Sequence, residues 1–136
     1  MKIFGPKTRV KRPAAKLFEM ASDCRNFSHY VGNRAKEVNA TEDTCSFTIE
    51  NMTRVTLKIL EKTPFTHIRF GAENDKNIPL VIDMNYTLVS DNETDVEVTL
   101  DIELPLFLKP MLQKPLESFV TTLSEKIKDN AEKQGL

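Results

Sequence analysis

From residue 45 to residue 104 apolar and polar side chains alternate with a period of two, the pattern of strands that bury one face and wet the other. Cys45, Phe47 and Ile49 share one side against Ser46, Thr48 and Glu50. Val55, Leu57 and Ile59 follow, then Ile68 and Phe70, and then Ile82, Met84, Tyr86 and Leu88 against Asp83, Asn85 and Thr87. The cleanest run covers 94–104, where Val96, Val98, Leu100, Ile102 and Leu104 alternate with acids and threonines. Breaks rich in turn formers fall near 40–43, 51–52, 62–64, 71–77 and 90–92. Short turns between successive strands predict antiparallel hairpins, not crossovers.

Helical spacing is confined to the two ends. After a first strand near 7–12, Pro13 suits the first turn of a helix that places Leu17, Phe18 and Ala21 at core spacing. Asp23 is placed to cap a second short helix carrying Phe27 and Tyr30. At the other end Leu112, Leu116, Phe119, Val120, Leu123 and Ile127 recur at three- and four-residue steps. Pro115 interrupts that pattern, so the helix is expected to begin near it or to kink there. The predicted order is a strand, one or two short helices, a six-strand meander and a long amphipathic helix. A sheet with one apolar face needs a cover, and only the last helix is long enough to supply it.

Val10, Pro13, Ser22, Asp23, Asn26 and Phe27 spell V-x-x-P followed by S-D-x-x-N-F. With this order of elements, the chain resembles the START-like superfamily, also called SRPBCC or Bet v 1-like, the helix-grip fold. The segments 41–49, 61–64 and 114–116 are similar to small bacterial members of it. The resemblance implies one α+β domain over 1–136, with a curved seven-stranded antiparallel sheet wrapped around the C-terminal helix and one or two short helices between strands 1 and 2. It also implies a ligand cavity between sheet and helix. Since one fold hosts carriers, receptors and cyclases, it implies no particular ligand.

The 136 residues are 40% hydrophobic and 29% charged, which excludes a disordered or fibrous chain. Nineteen basic and twenty acidic side chains leave a net charge of -1, without the positive field of a nonspecific nucleic-acid binder. The balance hides a segregation. Residues 1–16 hold Lys2, Lys7, Arg9, Lys11, Arg12 and Lys16 and no acid, whereas 91–104 hold Asp91, Glu93, Asp95, Glu97, Asp101 and Glu103 and no base. If the first strand lies beside the last, Lys7, Arg9 and Lys11 are expected to face Glu97, Asp101 and Glu103. The basic start then reads as a structural strand, not a nucleic-acid arm. It lacks the apolar core of a secretory signal, and no apolar run approaches the ~18 residues of a membrane span. A cytoplasmic location, with Cys24 and Cys45 reduced, is the expectation.

Catalytic chemistry finds little footing. His67 alternates with Ile68 and is expected on the outer face, with no partner proposed by spacing; His29 follows the first helix. Cys45 lies in the inward register, where a thiol acts as a small inert hydrophobe, and Cys24 is expected to be more exposed. Cys24 and His29 are too few ligands for zinc. The nucleotide and serine-hydrolase glycine motifs do not occur, so no catalytic residue, metal or cofactor is assigned. What remains is an apolar concavity. Its ligand-binding residues are Phe47, Ile49, Leu57, Ile59, Phe70, Met84, Tyr86 and Leu100 on the sheet and Leu112, Leu116, Phe119 and Leu123 on the helix. The same stripe serves equally as a filled core; as a cavity lining it suits a small hydrophobic molecule, with Tyr86 as its polar anchor. A cyclase- or dehydratase-like enzyme acting on an aromatic or polyketide-like substrate would need His29, Tyr86 or Arg54 to converge on the pocket. A protein-interaction or stress module would use the surface and an apolar linker in place of the interior. The apolar stretch 104–112 reads as a gate, a homodimer or lipid-surface contact, or a buried helix start.

Overall fold

The structure is a computed structural model, and it describes residues 1–27, 35–49, 54–74 and 78–134. The chain opens with β1 (Lys2–Phe4) and β2 (Thr8–Val10), then α1 (Ala14–Ala21) and a 3-10 turn (Cys24–Phe27). Six strands follow: β3 (Ala35–Ala40), β4 (Thr44–Ile49), β5 (Arg54–Thr63), β6 (His67–Asn74), β7 (Leu80–Ser90) and β8 (Glu93–Ile102). A second 3-10 turn (Leu106–Leu108) leads into α2 (Lys109–Gln134). The strands form one antiparallel sheet in the order β1-β8-β7-β6-β5-β4-β3, with β2 also paired to β8. The meander, the short first helices and the long last helix are those the alternation predicts.

The first strand is where the pattern misleads. The expected single strand near 7–12 begins at Lys2 and is split, so the sheet has eight strands, not seven. β1 pairs Lys2 with Asp101 and Phe4 with Thr99; β2 pairs Thr8 with Val96 and Val10 with Thr94. Between them Gly5, Pro6 and Lys7 stand against Glu97 and Val98, one residue too many for a regular ladder, and Pro6 has no N–H to offer it. The Gly5 N–H still donates to the Val98 carbonyl at 2.8 Å. This extra residue shifts the charge pairing. Arg9 meets Asp95 at 2.8 Å and Glu93 at 3.8 Å, and Lys2 stands across from Asp101, in place of the predicted match of Lys7, Arg9 and Lys11 with Glu97, Asp101 and Glu103. Opposite charges do meet across the strands, in a different register.

Three register shifts mark the rest of the sheet; one, between Leu88 and Ser90, lies at the end of the β7–β8 hairpin, and two fall in the other strands. One between Ile59 and Glu61 sets Leu60 over Gly71, where an added Cβ would lie 2.9 Å from a Leu60 methyl. Gly71 therefore sits inside β6, not in the break expected near 71–77. The other falls between Lys36 and Asn39 in β3, with Glu37 at φ 54. Such insertions locally increase twist, which curves a sheet around a cover.

α2 runs without interruption through Pro115, six residues beyond its start at Lys109. Its buried residues are Leu116, Val120, Leu123, Ser124, Ile127 and Ala131. It crosses closest to the sheet at the β1–β2 break: a Cβ on Gly5 would lie 2.6 Å from Val120 Cγ1, 3.0 Å from the Val98 oxygen and 3.1 Å from Ser124 Oγ. Its far end is held by Arg12, whose guanidinium donates to the carbonyls of Ala131 and Glu132, while the Lys11 N–H donates to the Glu132 carboxylate at 3.1 Å. A cation on the final carbonyls complements the helix dipole and satisfies acceptors that have no partner within the helix.

Gly5→Ala is expected to cost about 1–3 kcal/mol, the range of overpacked cores, because Val120 is buried and the Val98 oxygen belongs to the sheet backbone. Urea denaturation measures it. Adding Val120→Ala should recover part of the loss, a coupling that two independent defects would not show.

Candidate functional site

The sheet residues assigned to the interior come together. Phe47, Leu57, Phe70, Met84, Tyr86 and Leu100 are all buried in one cluster with Leu116 and Leu123 of α2. Ile59, Leu112 and Phe119 are half-buried and pack against that cluster. The side chain of Ile49 lies outside the described residues, as do His29 and Tyr30.

One interior contributor escaped the alternation. Phe27, on the first 3-10 turn, lies nearly parallel to Phe47 with centroids 5.8 Å apart and 6.2 Å from Phe70. A single short turn has no periodicity from which to read its facing. The turn is locally encoded even so: Asp23 accepts from the Arg25 N–H at 3.0 Å, and the Asn26 amide donates to the Met20 carbonyl at 2.9 Å. Cys24 on the same turn is buried, contrary to the expected exposure, because this turn packs against β3 and β4. Burial pushes its thiol up to about 12, and burial likewise raises that of Cys45. Neither is a thiolate at neutral pH.

The interior is almost free of polar chemistry. Among the described residues the buried polar or charged ones are Thr94, Thr99 and Ser124, and none carries a formal charge. Thr94 Oγ1 donates to the Arg12 carbonyl and Ser124 Oγ to the Val120 carbonyl. The Tyr86 hydroxyl donates to Met84 Sδ at 3.6 Å. Arg54 sits apart, with Nη1 3.2 Å from Thr48 Oγ1 and 3.6 Å from the Glu37 carboxylate, so it does not join Tyr86.

The two ends of this interior differ. At one end Phe65, at φ 67 and 54% exposed, stands edge-on to Phe18 with centroids 5.7 Å apart. It separates two open grooves. One, of about 620 Å³, runs along Phe18, Ser22 and Lys62; the other, of about 350 Å³, along Ala14, Tyr86 and Leu88. At the opposite end, where Leu80 pairs with Ile102 and the chain leaves the sheet for α2, Ile78 and Leu80 also pack half-buried on the cluster.

No family model and no curated protein matches the chain. Solved structures do. A protein of Thermus thermophilus superposes with a TM-score of 0.79 at 18% identity, covering 100% of both chains. The Zhui aromatase/cyclase of a Streptomyces species gives 0.79 at 10% identity over 100% of this chain and 96% of its own. A START superfamily protein of Mycobacterium smegmatis gives 0.71 at 12% identity over 98% of each. The chain has the START-like, helix-grip fold. Identities this low carry the architecture and leave the chemistry to the residues present.

The outer face of this START-like sheet carries the one compact group of ionisable side chains with a histidine among the described residues. Arg69 and Asp83 face each other across β6 and β7, with Arg69 Nε 2.8 Å from Asp83 Oδ1, and His67 Nε2 lies 2.6 Å from the same oxygen. His67 is thus on the outer face as the alternation predicts, with a partner that linear spacing does not reveal. Partial burial raises the Asp83 pKa, but hydrogen bonds from Arg69 and His67 outweigh it and hold the carboxyl below its ordinary value. A lowered folded-state pKa contributes stability that is present above the unfolded pKa, near ~4, and is lost as pH falls through the folded value. Asp83→Asn should therefore lower the unfolding free energy by about 1–3 kcal/mol at pH near 7, with the deficit shrinking below pH ~4. Urea melts across pH read both numbers; a deficit unchanged by acid would mean that the charge of Asp83 contributes nothing.

Proposed function

We propose that this protein binds a small hydrophobic molecule, lipid-like or aromatic, between the sheet and α2 and does not transform it. The observation that carries this reading is the uncharged interior. Dispersion and burial are the forces such a lining supplies, at ~25 cal/mol for each Å² of apolar surface removed from water. Phe27, Phe47 and Phe70 fill much of the deep end, so the ligand is compact or lies toward the half-buried margin formed by Leu112 and Phe119.

The helix itself supports a way in. The buried contacts of α2 lie from Leu116 onward, and Arg12 and the Gly5 crossing hold that part down. Before Leu116, Lys109 and Leu112 are half-buried and Pro110, Met111, Gln113, Lys114 and Pro115 are exposed. Pro115 also removes one helical hydrogen bond there. Local opening favours segments with few buried contacts, so these first turns are the part that yields to a ligand. The reading includes a cytoplasmic setting, in which the free thiols Cys24 and Cys45 stay reduced. No helix among the described residues is long and apolar enough to cross a membrane.

The likeness to an aromatase/cyclase keeps an enzyme in view as the alternative. That reading needs polar groups facing the ligand, and Arg54 and His67 are engaged elsewhere. Native mass spectrometry of gently extracted protein should show a retained apolar adduct, and fatty acids or polycyclic aromatics should raise the Tm. Leu112→Asp and Phe119→Asp, at half-buried positions, should weaken binding at least tenfold while the protein still folds. A bare mass together with a Tm unmoved by every compound would overturn the proposal, and chemical conversion of a bound aromatic would favour the enzyme.

A further inference from the structure

We infer that the 3-10 turn before α2 is a docking tip for the surface of an anionic lipid bilayer. Leu106, Phe107 and Met111 are 80%, 75% and 69% exposed, an unusual concentration of large apolar side chains within six residues. They are held outward. Leu104 is buried on one side of the tip, Leu108 is half-buried on the other, and the Leu108 N–H donates to the Pro105 carbonyl at 2.9 Å. Of the readings open for this stretch, a buried helix start does not fit the three residues that project from it.

Charge selects the partner. Residues 105–116 contain Lys109 and Lys114 and no acid. The acids nearest in sequence lie outside the tip and are exposed: Asp101, 3.9 Å from the N-terminal amine, then Glu103, and Glu117, which accepts from the Gln113 amide. Apolar side chains flanked by lysines match the interface of an anionic bilayer, where the rings and methyls enter the acyl boundary and the ammonium groups reach phosphates. Area argues against a second copy of the chain. Three side chains on a convex turn offer roughly half of the ~800 Å² that each partner of a standard interface buries. The docking does not depend on the interior-ligand proposal, since the tip is exposed whether or not anything is bound inside.

The chain has no tryptophan, so Phe107→Trp introduces a single reporter at an exposed site. Vesicles of phosphatidylcholine mixed with phosphatidylserine should shift its emission to the blue, whereas phosphatidylcholine alone should shift it much less. Raising the salt should reverse the shift. Each lysine near such a surface multiplies partitioning about fivefold, so Lys109→Gln with Lys114→Gln should weaken sedimentation with these vesicles ~25-fold. Leu106→Ser with Phe107→Ser should abolish it without moving the Tm, because both positions are exposed. Absence of any vesicle-dependent shift overturns the inference. So does a shift that follows protein concentration in place of lipid, with light scattering reporting a dimer, which would make a second copy the occupant.

Discussion

The structure depends on one close approach. α2 reaches the sheet over Gly5, where the first strand breaks, and any side chain larger than hydrogen would hold the two apart. The break and the glycine belong together: Pro6 and the extra residue interrupt the ladder, and the missing Cβ gives Val120 and Ser124 the space. Further along, Arg12 gathers the last carbonyls of the helix, and its own carbonyl accepts from Thr94 on β8. A dozen residues at the start of the chain thus tie the last strand to the last helix.

That tie is unequal along the helix, and the inequality organises the interior. Beyond Leu116, α2 is anchored by buried aliphatic side chains; before it, the helix touches the core through half-buried Leu112. A concave sheet face can be sealed at one end and adjustable at the other without a dedicated loop. The aromatic stack of Phe27, Phe47 and Phe70 occupies the deep part, while the grooves beside Phe65 open on the side of α1. The left-handed backbone of Phe65 carries a cost for a residue with a side chain, offset here by its contact with Phe18 and by the Thr66 carbonyl accepting from the Tyr86 N–H.

Much of this was legible in the chain because a strand with one wet face writes its geometry directly. Val96, Val98, Leu100 and Ile102 alternate without exception, and the register with Met84 and Tyr86 follows. The inward assignments, which include most of the candidate site, rest on the same logic. Features made by one unpaired residue were not legible. The insertion at 5–7 displaced the charge pairing, Leu60 turned Gly71 from an apparent break into the middle of a strand, and the Cys24–Phe27 turn was too short to announce its buried side. The His67–Asp83 contact was hidden for a different reason: it joins two strands at a diagonal, and only the register brings the two side chains together.

The irregularity in β3 bears on a hazard common to open sheets. β3 is the outermost strand at its side of the sheet, so its outward N–H and C=O groups could template another chain, and a long straight edge would invite fibrous association. The shift between Lys36 and Asn39, with Glu37 in the left-handed region, breaks the straight run that an incoming strand would need. Glu37 and Asn39 are exposed there as well, adding a charge and an amide where an aggregating strand would require alternating apolar contacts. The same kind of insertion that lets the helix close over one margin of the sheet thus interrupts the straight edge of the opposite margin.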